Sequence, residues 1–370
     1  MPCENSSKII FVTGGTGFIG FQVLVQLLDL GYSVRASARG KKVDLLSNAL
    51  SNYKNLEVVG ISDIFNDDLS NVLKGLCVRD HTHCCTLPGA ESERTIRDAT
   101  EGCLHILNAA VKAGVERIVA TSSAATFPAG GPYGPDDWFP VTREDAKHTN
   151  NGLIYLLAKK LADQVFMKFG ESHPELNISL LGPGLTFGPF PPGFEQLLPE
   201  PNYKSLSSNA YLYALLRPDN VHFPVYLQNG AIDVRDVARA HLLALESPPA
   251  RRKRFAIVSP HQSSYKTALE ILARERPALK YRLADQRRLQ AKIEKSIGLK
   301  TDSYIPWAQT VLETVDSLLA IENHWKAKGF HVEVPSNPTL PIHCIKVVAG
   351  IAFYCDLFYD PLHLALRIFQ

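Results

Sequence analysis

Tyr155 and Lys159 in "IYLLAKK" stand four residues apart, a spacing that brings them to one face of a helix. A phenol beside an ammonium makes a proton donor. Tyrosine titrates near ~10 in water, and a neighbouring cation that favours phenolate moves it towards working pH. Where hydride arrives at a carbonyl carbon, the oxygen gathers negative charge and needs such a donor and a second hydrogen bond. Taken alone, Tyr-x-x-x-Lys is equally an amphipathic surface pair. Its weight comes from a glycine-rich segment upstream and from the strand-end segment "TSSAAT" between the two.

That upstream segment, "VTGGTGFIGFQVL", places Gly14, Gly17 and Gly20 between an apolar run and a helical pattern. The first glycine permits a tight turn, the second lets backbone approach a pyrophosphate, and the helix N-terminus supplies N–H donors and a positive dipole end. Gly14, Thr16, Gly17, Phe18, Ile19 and Gly20 are therefore candidate cofactor contacts. The second strand selects the dinucleotide. NAD sites usually end it with an acid that holds the ribose hydroxyls, but here the segment is "RASARGKK", with Arg39, Lys41 and Lys42 at the turn. A guanidinium can fork onto a 2′-phosphate that a carboxylate would repel, so Arg39 and Lys42 favour NADP(H) over solvated turn residues. Asp63, after "EVVGIS", is open to two roles: contact with the adenine amino group, or a helix N-cap.

The stretch "CVRDHTHCCTLPG" crowds His81, His83, Cys84 and Cys85 together. Zinc takes four ligands, or three and water, from side chains that converge. On a strand the two histidines share a face while the two cysteines point apart, and no second ligand pair stands at a suitable distance. No metal is expected. The stretch is expected to supply the fourth strand, yet Arg79, Asp80 and His81 are charged or polar where a central parallel strand should be apolar. Either the strand is shortened and displaced or the sequence is locally in error.

The elements that position these residues repeat in a fixed order: apolar run, glycine turn, helix. Strands separated by helical segments of ~10–15 residues mean βαβ units and a parallel sheet. The expected fold is α/β, a Rossmann-type doubly wound sheet with a smaller, irregular C-terminal substrate-binding part. Residues 1–188 form the cofactor domain with the Tyr–Lys helix. Residues 189–335 form mainly the substrate part, with some strands and helices returning to the sheet, and 336–370 are an apolar extension. "TIRDATEGCLHILNAAVKAG" reads as a helix closed by Gly114, residues 152–170 as another, and "NISLLGPG" and "RFAIVSP" as strands.

With "TGGTGFIG", "SARGKK", "TIRDATEGCLHILNAAVKAGVERIVATSS", "DDWFPVT", "YLLAKKLAD", "PGLTFGP", "IDVRDVARAHLLAL" and "ETVDSLLAIE" in one order across most of residues 8–322, the chain resembles the extended short-chain dehydrogenase/reductases. Within them it is similar to the branch of plant dihydroflavonol reductases and yeast methylglyoxal/isovaleraldehyde reductase. The resemblance implies a catalytic triad of Ser123, Tyr155 and Lys159, with Ser122 packing or hydrogen-bonding locally. It also implies a turn past the nicotinamide at Pro183 and Gly184, and a structural role for Arg235 and Asp236. His105 and Gly182 depart from the family pattern, which usually has Asn at the first position and Asn or a bulkier residue at the second.

The implied activity is NADPH-dependent reduction of a ketone or aldehyde, as in a ketoreductase of secondary metabolism. A small carbonyl substrate, mid-sized and apolar or aromatic, would sit among segment 188–202, the aromatics of "NAYLYALLRP" and loop 128–140. The competing readings are a hydroxysteroid dehydrogenase, a sugar-nucleotide epimerase or dehydratase, and a non-catalytic dinucleotide-binding regulator.

Composition sets outer bounds. With 39 basic against 37 acidic side chains, no global field favours nucleic acid. The run Arg251-Arg252-Lys253-Arg254 follows a proline pair and reads as a solvated turn. Seven scattered cysteines and no signal-peptide pattern point to a reducing, cytoplasmic setting. Asp356 and Pro361 interrupt the apolar tail before the ~20 residues a bilayer span needs, so a docked helix is favoured there over an interfacial membrane contact.

Overall fold

The computed structural model describes residues 9–74, 80–83, 92–128, 134, 136–147, 151–218, 230–247, 252–284 and 304–335. In chain order the first half runs β1 (Ile9–Thr13), α1 (Phe18–Asp29), β2 (Ser33–Ala38), α2 (Lys42–Ala49), β3 (Leu56–Gly60), α3 (Ser70–Leu73), β4 (Asp80–His83), α4 (Ser92–Arg97), α5 (Cys103–Lys112) and β5 (Arg117–Thr121). It continues α6 (Arg143–Lys147), α7 (Asn151–Ser172), β6 (Asn177–Pro183), β7 (Leu185–Phe187), α8 (Asn209–Ala214), β8 (Ala231–Asp233), α9 (Val234–Glu246), β9 (Arg252–Ile257), α10 (Tyr265–Glu275) and α11 (Trp307–Ala327). A π-helical turn, Asp98–Gly102, joins α4 to α5.

Among the described residues seven strands form a parallel sheet in the order β3-β2-β1-β4-β5-β6-β9. The order reverses between β1 and β4, and in such sheets ligands bind beyond the carboxyl ends of the strands at that switch point. Alternate strand residues feed two opposite cores. Ile10, Val12, Val34 and Ala36 pack with α1 and α9, while Ile118, Ala120, Ile178 and Leu180 pack with α5 and α7. Helices on both faces explain why β6, "NISLLGP", is buried at every residue, as parallel strands generally are.

The fourth strand is short but not displaced. β4 has four residues and lies between β1 and β5, with His81 opposite Phe11 and Ile118 and with Thr82 opposite Val12 and Val119. Backbone pairing on both edges outweighs a polar sequence in setting its place. Cys77, Cys84 and Cys85 lie outside the described residues, as does the apolar extension 336–370. Among the described residues there is no cluster of three metal-ligating side chains, and no helix is long and apolar enough to cross a membrane.

The basic run is the clearest correction. Arg252 to Arg254 do not form a solvated turn; they open β9, whose residues pair with Ile178 to Pro183 of β6. Arg254 is 5% exposed. Its placement is set by the sheet register, which a charge count cannot show.

The irregular C-terminal part is fastened by aromatic and ionic contacts. Phe190 and Phe194 stack on each other and meet Phe18 and Phe21 of α1 edge-on. Trp325 of α11, fully buried, donates to the Leu198 carbonyl at 2.9 Å. Tyr213 of α8 donates to Glu322 at 2.8 Å, and Arg282 and Lys326 bind the same carboxylate. Residues expected to line a substrate cleft, Phe190, Phe194, Tyr211 and Tyr213, are thus core residues at 9% exposure or less.

Candidate active site

At the carboxyl end of β1 the chain turns through Gly14, at φ 71°, and the Gly17 N–H bonds back to the Gly14 carbonyl at 2.9 Å. A Cβ on Gly20 would come within 2.2 Å of that carbonyl oxygen, so only glycine lets the first turn of α1 close on the loop. Gly17 caps α1 without a side-chain bond, and the first turn holds no acid. Its N–H groups and dipole therefore face outward for an anion. Thr16 is half-buried beside them. Phe18 and Ile19 pack into the core, so they can offer a ligand only backbone.

Arg39 follows β2 and Lys42 opens α2, both exposed. Partial desolvation and the nearby Arg39 guanidinium lower the Lys42 ammonium below its usual range. Two like charges held close are relieved by an anion between them. Asp63 is oriented by its own turn, with lone pairs left on both oxygens. Its carboxylate accepts from the Phe65 N–H at 3.0 Å and the Asn66 side-chain amide at 2.9 Å, and these bonds, the Asn66 one foremost, hold its pKa below the carboxylate range.

The second half of the site is the turn after β5. α7 lies along it with Tyr155, Lys159 and Asp163 at i, i+4 and i+8 on one face. Lys159 is buried, and its Nζ donates to the Thr121 carbonyl at 3.2 Å. Asp163 accepts the Ser122 hydroxyl at 2.5 Å. These two bonds fix the helix face against residues 121 and 122, leaving Ser123 next in line and Tyr155, half-buried, one turn before Lys159. Ser123 caps a short 3-10 turn, Ala124–Thr126. Its Oγ accepts from the Ala125 N–H at 3.3 Å, and its own proton has no partner among the described residues. Ser122 is spent locally, while Ser123 can still donate.

Pro183 and Gly184 stand where β6 leaves the sheet, with the Gly184 N–H donating to Ile257 of β9 at 3.0 Å. Gly182 has a steric reason. A Cβ there would lie 3.0 Å from both the carbonyl carbon and oxygen of Ser123, so the departure from the family pattern lets β6 abut the serine turn. His105 bonds through Nε2 to the Asp67 carbonyl at 2.7 Å. Asp233, buried, accepts from the Arg235 backbone and guanidinium and from Thr310 of α11 at 2.7 Å. Arg235 also reaches Glu313. This motif ties α9 to α11.

Four residues of the site were not found from sequence: Thr121, Asp163, His241 and Arg254. The Thr121 hydroxyl meets His241 Nε2 at 2.8 Å, and His241 Nδ1 meets the Val237 carbonyl at 2.8 Å. Burial depresses the His241 pKa from its ordinary 6.5 to about 4, so it stands neutral behind Lys159's acceptor. Burial pushes the Asp163 carboxyl up, against the pull of Ser122, Arg254 and Lys159. The one sequence signal was spacing, since Asp163 continues the Tyr155–Lys159 face by a turn.

The fold and this constellation define a class. A model of the NAD dependent epimerase/dehydratase family matches residues 10–257, and the chain belongs to that family. Among its relatives are ketoreductase adrE of Penicillium rubens, 30% identical over 73% of this chain and 81% of its own, and the NADPH-dependent methylglyoxal reductase of Saccharomyces cerevisiae, 28% identical over 73% and 83%. A crystal structure of Gre2 from Candida albicans in complex with NADPH shares the fold, with TM-score 0.72 and 24% identity over 85% of this chain and 99% of that one.

Proposed function

We propose that this protein is an NADPH-dependent carbonyl reductase that converts a ketone or aldehyde into an alcohol. The observation that carries the proposal is the placing of Tyr155, Lys159 and Asp163 on one face of α7, fixed by Lys159 and Asp163 to the two residues before Ser123. The glycine loop at the switch point, and Arg39 with Lys42 where an NAD site would hold an acid, support NADP(H). Relatives whose names record ketoreductase or NADPH-dependent reductase activity support the same reading.

When bound, NADPH supplies the hydride. The chain's own residues do the rest. Gly14, Thr16, Gly17, Phe18, Ile19 and Gly20 hold the pyrophosphate by backbone and by Thr16. Arg39 and Lys42 hold the 2′-phosphate, Asp63 the adenine edge, and Pro183 and Gly184 pass the nicotinamide. Tyr155 gives its phenolic proton to the carbonyl oxygen, Ser123 donates the second hydrogen bond, and Lys159 stabilises the phenolate that remains. We assign cofactor binding to residues 1–188 and substrate binding mainly to 189–335, and place the enzyme in the cytoplasm. The substrate class is a mid-sized apolar or aromatic carbonyl compound, of the kind ketoreductases of secondary metabolism take.

The test is oxidation of NADPH against a panel of aromatic aldehydes, diketones and UDP-sugars, with products identified. Carbonyl-dependent NADPH consumption yielding an alcohol is expected. Interconversion of a UDP-sugar with no net consumption would replace the proposal with an epimerase.

A further inference from the structure

Arg254 reaches from the edge strand β9 into a site its sequence neighbours do not announce. Its guanidinium lies between the rings of Phe127 and Trp138, 3.7 Å from each centroid. Nη1 donates to the Asp137 carbonyl at 2.8 Å, and Nη2 to the Thr126 carbonyl at 3.0 Å and hydroxyl at 2.9 Å. Nε faces Asp163 at 3.4 Å, and both side chains of this ion pair are out of solvent. One arginine thereby joins the segment leaving the serine turn to the segment returning at Asp137 and Trp138.

Asp163 carries the contact to the turn itself. Its Oδ2 accepts the Ser122 hydroxyl at 2.5 Å and lies 3.2 Å from the Thr126 hydroxyl. The Thr126 Oγ1 lies closer, 2.9 Å, to the Ser123 carbonyl, which also accepts the Thr126 N–H at 3.1 Å. A hydroxyl has one proton, so Thr126 serves one acceptor at a time while Arg254 fills its lone pair. Ser123 is thus bracketed by two residues that share one carboxylate, and Gly182 closes the third side.

A buried ion pair is a poor source of stability, because apolar residues of similar volume serve as well. Its distinguishing property here is geometric. It fixes both neighbours of Ser123, whose hydroxyl accepts from the Ala125 N–H and whose own proton has no partner among the described residues, and such small placements govern rate when a group must meet a reacting atom.

We infer that Asp163 and Arg254 are positioning residues for the carbonyl reduction: a buried clamp that aims the Ser123 hydroxyl, acting through Ser122 and Thr126. The inference rests on the reductase reading, and its test separates the two. Removing one partner leaves a lone buried charge, so the informative variant replaces both, Asp163→Leu with Arg254→Met. Alongside it run Ser123→Ala, the triple variant, Arg254→Lys and Tyr155→Phe, each measured for melting, NADPH affinity, kcat and KM.

The clamp variant is expected to bind NADPH within about threefold of the parent and to lose about tenfold or more in kcat. In the Ser123→Ala background the same change should cost less than about twofold further, because groups acting through one atom are not additive. Should the clamp variant not fold, Arg254→Lys keeps the charge and loses the fork and the stack; its kcat should fall about threefold or more with the same non-additivity. Full kcat in a folded clamp variant, full kcat in Arg254→Lys, or losses that multiply with Ser123→Ala would overturn the inference. If Tyr155→Phe loses turnover while the clamp variants keep it, the clamp alone fails. If Tyr155→Phe keeps turnover, the reductase reading fails with it.

Discussion

The turn after β1 and the turn after β5 sit at the carboxyl ends of strands separated by β4 alone, yet they are built from different materials. The first is backbone: a left-handed Gly14, a Gly20 that admits no Cβ, and a helix end without a side-chain cap. The second is side chains. Ser122 and Thr126 meet Asp163 about forty positions on, and Arg254 comes from 128 positions away. The difference suits the tasks. A pyrophosphate is anionic and extended and is held by a row of N–H groups, whereas one developing charge on one oxygen needs a donor aimed within a fraction of an ångström. Local sequence can fold the first, but only the assembled sheet can supply the second.

Three changes would break or sharpen that contrast. The largest effect is expected from Gly20→Val, which drives a side chain into the Gly14 carbonyl. NADPH affinity in a fluorescence titration should fall by about a hundredfold or more, since the loop and helix can no longer close around the phosphates. Binding within about threefold of the parent would show that the glycine loop is not the phosphate site.

Next is Arg39→Asp, which puts an acid where NAD sites carry one. The ratio of kcat/KM for NADPH over NADH should drop about tenfold or more, while Ser123-dependent chemistry with NADH survives. An unchanged ratio would remove Arg39 from the 2′-phosphate. This variant tests whether the cofactor end can be retuned without disturbing the turn after β5.

The third probes the far side of that turn and is read in stability. His241 titrates near 4 when folded and near its ordinary 6.5 when unfolded. Between those values the unfolded chain binds more protons, so its stabilising contribution is whole above about pH 6.5 and is lost as pH falls towards 4, by about 3 kcal/mol in all. His241→Gln, which has no such proton, should flatten that slope in urea unfolding series at pH 4 to 7. Parallel slopes for parent and variant would show that His241 is not buried neutral against Thr121.

What could be read from the chain follows the same division. The glycine loop, the place of Arg39 in the turn after β2, the βαβ order and the Tyr155–Lys159 face were legible because each is set by contacts within a turn or two of sequence. The Gly114 stop and the strand "NISLLGP" were legible for the same reason. β4 stands where the order of elements puts the fourth strand; its polar residues suggested a displaced strand, but backbone pairing with β1 and β5 holds it in place. Arg254 was misjudged because a basic run next to prolines looks solvated, and nothing local shows that strand register carries its third arginine between Phe127 and Trp138. Tyr211 and Tyr213 looked like cleft aromatics because composition does not distinguish a pocket wall from a core.

The central claim is that Tyr155, held on the α7 face one turn before Lys159, delivers the proton when a carbonyl compound is reduced by NADPH. Its most direct test is Tyr155→Phe, with turnover and NADPH affinity measured on the same preparation. The account predicts a loss of kcat of about a thousandfold or more, with NADPH affinity within several-fold of the parent, as expected when only a transition-state interaction is removed. Turnover near the parental rate, or loss of NADPH binding along with it, would contradict the claim and make the tyrosine a structural residue.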